Sequence, residues 1–191
     1  MRDGPLDMRM DTETGVPAAN WLAKISEKQL ANALYQGGEE RFARRVARAI
    51  INARSQQAIT HTKQLADIVT AAIPKRQPGK HPATLTFQAI RIAINHEFDV
   101  LPVALKDAID CLIKHGRICA ITFHSTEDQI VKRVFREQSG HGAIPSDLPI
   151  RHADIDVPLK VIGRRIKPSA SEIENNPRSR SATLRVAEKI R

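Results

Sequence analysis

The strongest constraint on how this chain can fold is a change in its hydrophobic period about halfway along. Up to about residue 98, apolar residues recur at three- and four-residue spacing, the pattern of amphipathic helices. Arg117-Ile118-Cys119-Ala120-Ile121-Thr122-Phe123 is then a strand-length apolar run, and a helical pattern restarts at Ser125. It reads as a strand buried on both faces of a sheet. Helix, strand, turn, helix is α/β grammar. Near the end, Ala182-Thr183-Leu184-Arg185-Val186-Ala187 alternates as a second strand. Two legible strands are too few for a stable parallel sheet. The chain therefore divides into an all-helical part and a fragment of an α/β sheet.

The helical signals are specific. Ser26-Glu27-Lys28-Gln29 is a capping box, with Ile25 and Leu30 placed as a hydrophobic staple; the helix it opens runs to about Tyr35 and stops at Gly37-Gly38. A second helix spans about Glu39 to Arg54, with Phe42, Ala43, Val46, Ala47 and Ile50 on one side. Arg41, Arg44, Arg45 and Arg48 line the other, and serve either a phosphate-facing surface or a solvated face. A third helix covers about Thr62 to Ala72, closed by Pro74, and a basic loop follows from Lys75 to Pro82. A fourth is expected over about Ala83 to Phe98 and a fifth over about Leu101 to His115, with Gly116 just beyond its end. Residues 139–157 read as loop.

Composition narrows the partners. Among 191 residues, 30 Lys and Arg against 21 Asp and Glu give a formal net charge of +9, which favours a polyanion such as nucleic acid. Cys111 and Cys119 fit neither a metal spacing nor a disulfide framework, and read as small apolar residues in a reducing compartment. No metal site is expected. The absence of a membrane-length apolar run or a signal peptide makes the cytoplasm the expected location.

Chemistry-bearing residues concentrate at Phe123-His124-Ser125-Thr126-Glu127-Asp128, between a strand end and a helix start, where open α/β sheets place ligands. His124 suits proton handling near neutrality, and the helix start suits an anion. In the plainer reading, Ser125 is the N-cap, Glu127 and Asp128 complement the dipole, and His124 bonds within the turn. Asn176-Pro177-Arg178-Ser179-Arg180-Ser181 is a turn whose two arginines either grip phosphate or face solvent. Trp21, the single tryptophan, is either core or a stacking surface.

Several ordered blocks resemble the RsmH family, also called MraW. They are Met1-Arg2-Asp3-Gly4-Pro5-Leu6-Asp7-Met8-Arg9-Met10-Asp11, then Gly38-Glu39-Glu40-Arg41-Phe42-Ala43 with the arginine-rich helix. His81-Pro82-Ala83-Thr84, Thr86-Phe87-Gln88-Ala89 and Arg91-Ile92-Ala93-Ile94-Asn95 follow. Phe123-His124-Ser125, Glu127-Asp128, Ile130-Val131-Lys132, Asn176-Pro177-Arg178 and Arg180-Ser181 complete the set. Leu85 and Gln129 stand where the family has Arg, and Thr126 where it has Leu.

The resemblance implies S-adenosylmethionine-dependent methylation of a cytosine N4 in the decoding region of small-subunit (16S) ribosomal RNA. The implied fold is α/β: a partial Rossmann-like methyltransferase domain with an inserted all-helical domain. Residues 1–11 would connect to the catalytic half, 12–98 form the helical insert, and 99–191 close the methyltransferase domain. The implied partners are 16S rRNA or the small ribosomal subunit, and a second copy of the chain as a homodimer. Trp21 becomes a candidate for contacting a flipped cytosine. His124, Ser125 and the Asp7–Asp11 segment become pocket-wall candidates. Arg41, Arg44, Arg45, Arg48, Lys132, Arg178 and Arg180 become RNA-contact candidates. The cofactor-binding elements, a glycine-rich turn and a ribose-holding carboxylate, are expected upstream of Met1, and the catalytic residues are not identified. The other readings are a non-catalytic RNA-binding remnant and a degenerate product.

Overall fold

The computed structural model describes residues 3–74, 81–140 and 157–191. The chain falls into two compact units, residues 1–97 and 98–191.

The first unit is helical: α1 (Ala18–Lys24), α2 (Glu27–Gly38), α3 (Ala43–Gln56), α4 (Thr62–Ala72) and α5 (Thr84–Ile94). The α2 start is the expected capping box: the Ser26 hydroxyl accepts from Gln29 N, and the Gln29 side chain accepts from Ser26 N. Ser26→Ala should cost about 1 kcal/mol. A lower urea midpoint with unchanged slope would report it. Leu22, Leu30, Leu34, Val46, Ile50, Leu65, Val69 and Ile90 form the buried core. Fully burying each large side chain contributes about 1.5–3 kcal/mol against the entropy of ordering it.

Residues 3–11 are built into this unit. Leu6 is buried, its N–H donates to Thr60 O (2.9 Å), and its carbonyl accepts from Ala19 N (2.9 Å). Pro5 forms an antiparallel bridge with His61. Asn95 clamps the segment by donating to Met8 O (2.9 Å) and accepting from Met10 N (2.8 Å). Arg54 donates to Ile25 O (2.7 Å) and to Leu22 O, satisfying carbonyls at the C-terminal end of α1.

Several helix limits differ from expectation. The glycines do not stop α2; both lie inside it, and Glu39 takes the left-handed turn at φ 50°. A Cβ on Gly38 would meet Leu85 O at 2.4 Å, and one on Gly37 would meet Ala89 Cα at 3.0 Å. These glycines let α2 lie directly against the α5 backbone. Because the chain turns at Glu39, α3 starts at Ala43 rather than Glu39, and the buried Glu40 carboxylate accepts from Phe42 N (3.0 Å). The fourth helix ends at Ile94 instead of Phe98, because Asn95 caps it and His96 turns at φ 52°. The next helix, α6 (Glu97–Asp110), begins at once and ends short of His115. His115, not Gly116, holds the positive φ, 66°. α1 carried no clear sequence signal. Of the basic loop, 75–80 lie outside the described residues, as do 141–156 of the loop expected over 139–157.

The second unit combines α6 and α7 (Ser125–Gln138) with a three-stranded sheet of β1 (Arg117–Thr122), β2 (Leu159–Ile166) and β3 (Thr183–Lys189). α8 (Ala170–Asn175) and a 3-10 helix (Pro177–Ser181) separate β2 from β3. The order is β1-β3-β2 with both pairings antiparallel, so β1 and β2 run parallel to each other across β3. Thus β3 is central and β1 an edge strand. Leu105 and Ile109 of α6, the expected stripe Ile130, Val131, Val134 and Phe135 of α7, Leu159 and Ala187 share one core.

Two readings of this half need correction. β1 is not buried on both faces: it alternates, and Ile121 (61%) is exposed, as is Phe123 (55%) just beyond it. Only one face of the strand lies on the α6–α7 core. Cys111 and Cys119 are both exposed, outside the core rather than filling it. β2 went unread because its arginines and Gly163 break the alternation. Between Ile162 and Ile166 the pairing shifts register, with Gly163 at φ 64°, and this bulge resets how Arg164 and Arg165 project.

Candidate functional site

In the second unit, chemistry gathers where β1 passes into α7. His124, not Ser125, is the N-cap: its Nδ1 accepts from Glu127 N at 3.4 Å. That bond puts the neutral ring's proton on Nε2. Nε2 lies 2.8 Å from Glu127 Oε1, yet without the alignment of a hydrogen bond. The other Glu127 oxygen accepts from Phe123 N (3.0 Å). Burial opposes ionisation of Glu127; contacts with His124 and the Phe123 amide outweigh it and hold the carboxyl below its ordinary value. The Phe98 ring sits against the imidazole, centroids 5.9 Å apart. Both His124 nitrogens thus face Glu127, and the ring acts first as the clamp of this turn.

One turn further along, Asp128 receives both arms of the Arg185 guanidinium, at 2.7 and 2.9 Å, with the two side chains 14% and 16% exposed. Arg185 holds the Asp128 carboxyl below its ordinary value against the effect of burial, and Arg165 and Lys167 add to the field. Sequence reading missed Arg185 because its partner comes from a distant element.

Behind this pair, α7 and β2 frame a groove of about 880 Å³. Lys132, Arg136, Lys160, Arg164, Arg165 and Arg185 line it, and among the described residues no acid does. Its apolar floor includes Phe135 and Leu159, both buried. Of these cations only Lys132 was singled out from sequence. Lys160, Arg164 and Arg165 lie on an unrecognised strand, Arg136 at an unremarked helix position, and Arg185 on the expected final strand. Arg178 and Arg180 are exposed on the 3-10 helix, which Asn176 caps by accepting from Arg178 N (3.2 Å).

The first unit holds the other candidates. Trp21 is half-buried on α1 against the helical core, so it serves packing and stays partly exposed. Arg41, Arg44, Arg45 and Arg48 are all exposed, but Arg41 stands in the turn before α3. Arg48 reaches Glu27 at 3.4 Å; no ion pair joins the other three among the described residues. Asp7 binds Arg9 at 2.7 and 2.9 Å, and Asp11 accepts from Thr14 Oγ1 (2.8 Å) and Glu13 N (3.0 Å). These acids shape the turn that contains them. The described residues include no cluster suited to a metal ion and no helix long and apolar enough to cross a membrane.

Fold and surface together define a mixed helical and sheet protein with cationic faces on both units. The sequence pattern of the MraW methylase family matches residues 1–190, and the chain belongs to that family. Its relatives include proteins named ribosomal RNA small subunit methyltransferase H. The one from Nitrosococcus oceani is 53% identical, covering 99% of this chain and 60% of that protein. For Alteromonas mediterranea the figures are 51%, 100% and 61%, and for a Coxiella burnetii strain 47%, 99% and 61%. The chain spans about three-fifths of the length of the curated relatives it matches.

Proposed function

We propose that this chain is the substrate-facing and sheet-closing portion of a cytoplasmic, S-adenosylmethionine-dependent methyltransferase. Its substrate is the N4 of a cytosine in the decoding region of small-subunit (16S) rRNA. The observation that carries the reading is family membership along nearly the whole chain, with relatives named for small-subunit rRNA methylation. Among the described residues β1 pairs on one side only, which supports the Rossmann-like assignment, since further strands can add at its outer edge and continue the sheet. In this reading the first unit is the helical insert and the second closes the catalytic domain.

The described residues do not by themselves fit the cofactor. The turn after β1 has no glycine, its Phe123 N–H is taken by Glu127, and its carboxylates are held by His124 and Arg185. The described residues therefore supply no complete donor set for a sulfonium nucleoside. S-adenosylmethionine supplies the electrophilic methyl when bound. The chain's part is positioning, which matters because the cytosine amine is a weak nucleophile, its lone pair delocalised into the ring. Exposed Arg41, Arg44, Arg45, Arg48, Lys132, Arg178 and Arg180 hold the RNA backbone. Trp21 offers its exposed part to a base drawn from its stack. The His124–Ser125 turn of the second unit and the Asp7–Asp11 segment of the first are each candidates for contact with the substrate.

Nucleoside mass spectrometry of small-subunit rRNA tests the reading. Disrupting the gene should remove one N4-methylated cytidine, and re-expression should restore it; an unchanged nucleoside profile would sink the assignment. A second reading, RNA binding without catalysis, is favoured by the missing cofactor fit. Calorimetric titration of the 191-residue chain with S-adenosylmethionine should show no binding. One-to-one binding would refute the account of the cofactor site.

A further inference from the structure

The C-terminal end of α2 and the start of α3 enclose a pocket of about 470 Å³, lined among others by Asn32, Tyr35, Arg41, Phe42, Arg44 and Arg45. That volume lies in the usual range for small-ligand sites, about 300–1,000 Å³. Tyr35 is 68% exposed. Its chain neighbour Leu34 is fully buried, so α2 turns Leu34 to the core and Tyr35 to solvent. Around it stand three arginines without an ion-pair partner among the described residues. The acid in the lining, Glu40, is 3% exposed, and its carboxylate is engaged with Phe42 N. The pocket thus has net positive charge, an exposed aromatic residue in Tyr35, a half-buried second ring in Phe42, and Asn32 in its lining.

We propose that this pocket binds one unpaired nucleotide of an RNA, the base stacked on Tyr35 and the flanking phosphates held by Arg41, Arg44 and Arg45. The proposal rests on the RNA-directed reading above and gives it a second contact point outside the methylated base. Arginine suits phosphate through its planar fork, and the aromatic face suits any base. A duplex hides its base faces, so the recognised form is single-stranded. The basic groove of the second unit differs in this respect. Its aromatic residue, Phe135, is 1% exposed, leaving only charge to offer a backbone. Glu39 in the left-handed region and Gly38 against α5 set how the chain passes from α2 to α3 beside the pocket.

Tyr35 is the single tyrosine of the chain, so its ring protons give one unambiguous signal set by nuclear magnetic resonance. The 191-residue chain would be titrated with a short single-stranded RNA hexamer, and binding measured in parallel by anisotropy of labelled RNA. The Tyr35 ring signals should shift on binding. Tyr35→Ala should weaken hexamer binding about tenfold, the scale of one lost base stack, while Tyr35→Phe binds as the parent does. The same sequence as a duplex should show no dependence on Tyr35. Replacing Arg44 and Arg45 together by Gln should flatten the salt dependence by roughly 1.4 in log–log slope, for two lost phosphate contacts on a single strand.

If the parent binds the hexamer and Tyr35→Ala binds equally well, the pocket is overturned while the RNA reading of the chain stands. If the parent binds no RNA at low salt, both fall. If poly-glutamate shifts the Tyr35 ring as far as RNA and displaces the hexamer, the occupant is an acidic protein segment and the proposal is overturned.

Discussion

Arg185→Met should destabilise the second unit by about 3 kcal/mol, because it leaves the Asp128 carboxylate largely buried without its cation. Arg185 joins the central strand β3 to the first turn of α7, so its loss uncouples the helix from the sheet. The amides of β3 should exchange with solvent about a hundredfold faster if that cost is expressed through unit-level opening. Unchanged exchange would show that the pair contributes nothing net. Acid separates this pair from mere packing. The folded-state pKa of Asp128 lies below its ordinary value of 3.8. The pair's stabilisation is therefore complete above that value and is lost as pH falls through the lower folded value. The difference between parent and Arg185→Met should accordingly narrow in strong acid.

Gly38→Ala should destabilise the first unit by about 2 kcal/mol, the overpacking cost less the roughly 1 kcal/mol of helix propensity that alanine returns. The obstacle is Leu85 O, 2.4 Å from the added carbon. A backbone oxygen within a helix cannot swing aside as a long side chain would. Gly37→Ala, whose nearest atom is at 3.0 Å, should cost less, and Gly4→Ala, with nothing within 4 Å, should be near neutral. A urea series over the three variants checks the order. Equal midpoints would mean that α2 and α5 can separate freely. A displaced α2 would also move Tyr35, so Gly38→Ala should weaken single-stranded RNA binding along with stability.

Local signals were legible wherever a short stretch of chain carries its own energetic reason. The Ser26–Gln29 capping box, the α4 limits at Thr62 and Ala72, and the α7 stripe at Ile130, Val131, Val134 and Phe135 all stand as read. Reading failed where a distant partner decided. Gly37 and Gly38 look like a helix stop because glycine ends helices by default, yet here their lack of a side chain serves contact with Ala89 and Leu85. The run through β1 looks doubly buried because its residues are apolar, but one face is left open. β2 escaped notice because its register slips at Gly163.

The candidate site divides along the same line. From sequence alone came the chemistry-bearing turn at His124, the exposed arginines of the first unit and the family resemblance, since all three depend on residue identity and local order. Only the tertiary structure joined Asp128 to Arg185 across 57 positions of sequence, set β3 between β1 and β2, and lined one groove with cations from α7, β2 and β3. It likewise set an exposed Tyr35 on α2 beside arginines before and within α3. The physical reason is range: capping and periodicity act within one or two turns of helix, whereas pairing, register and shared surfaces are fixed by packing between elements that the chain's local order does not encode.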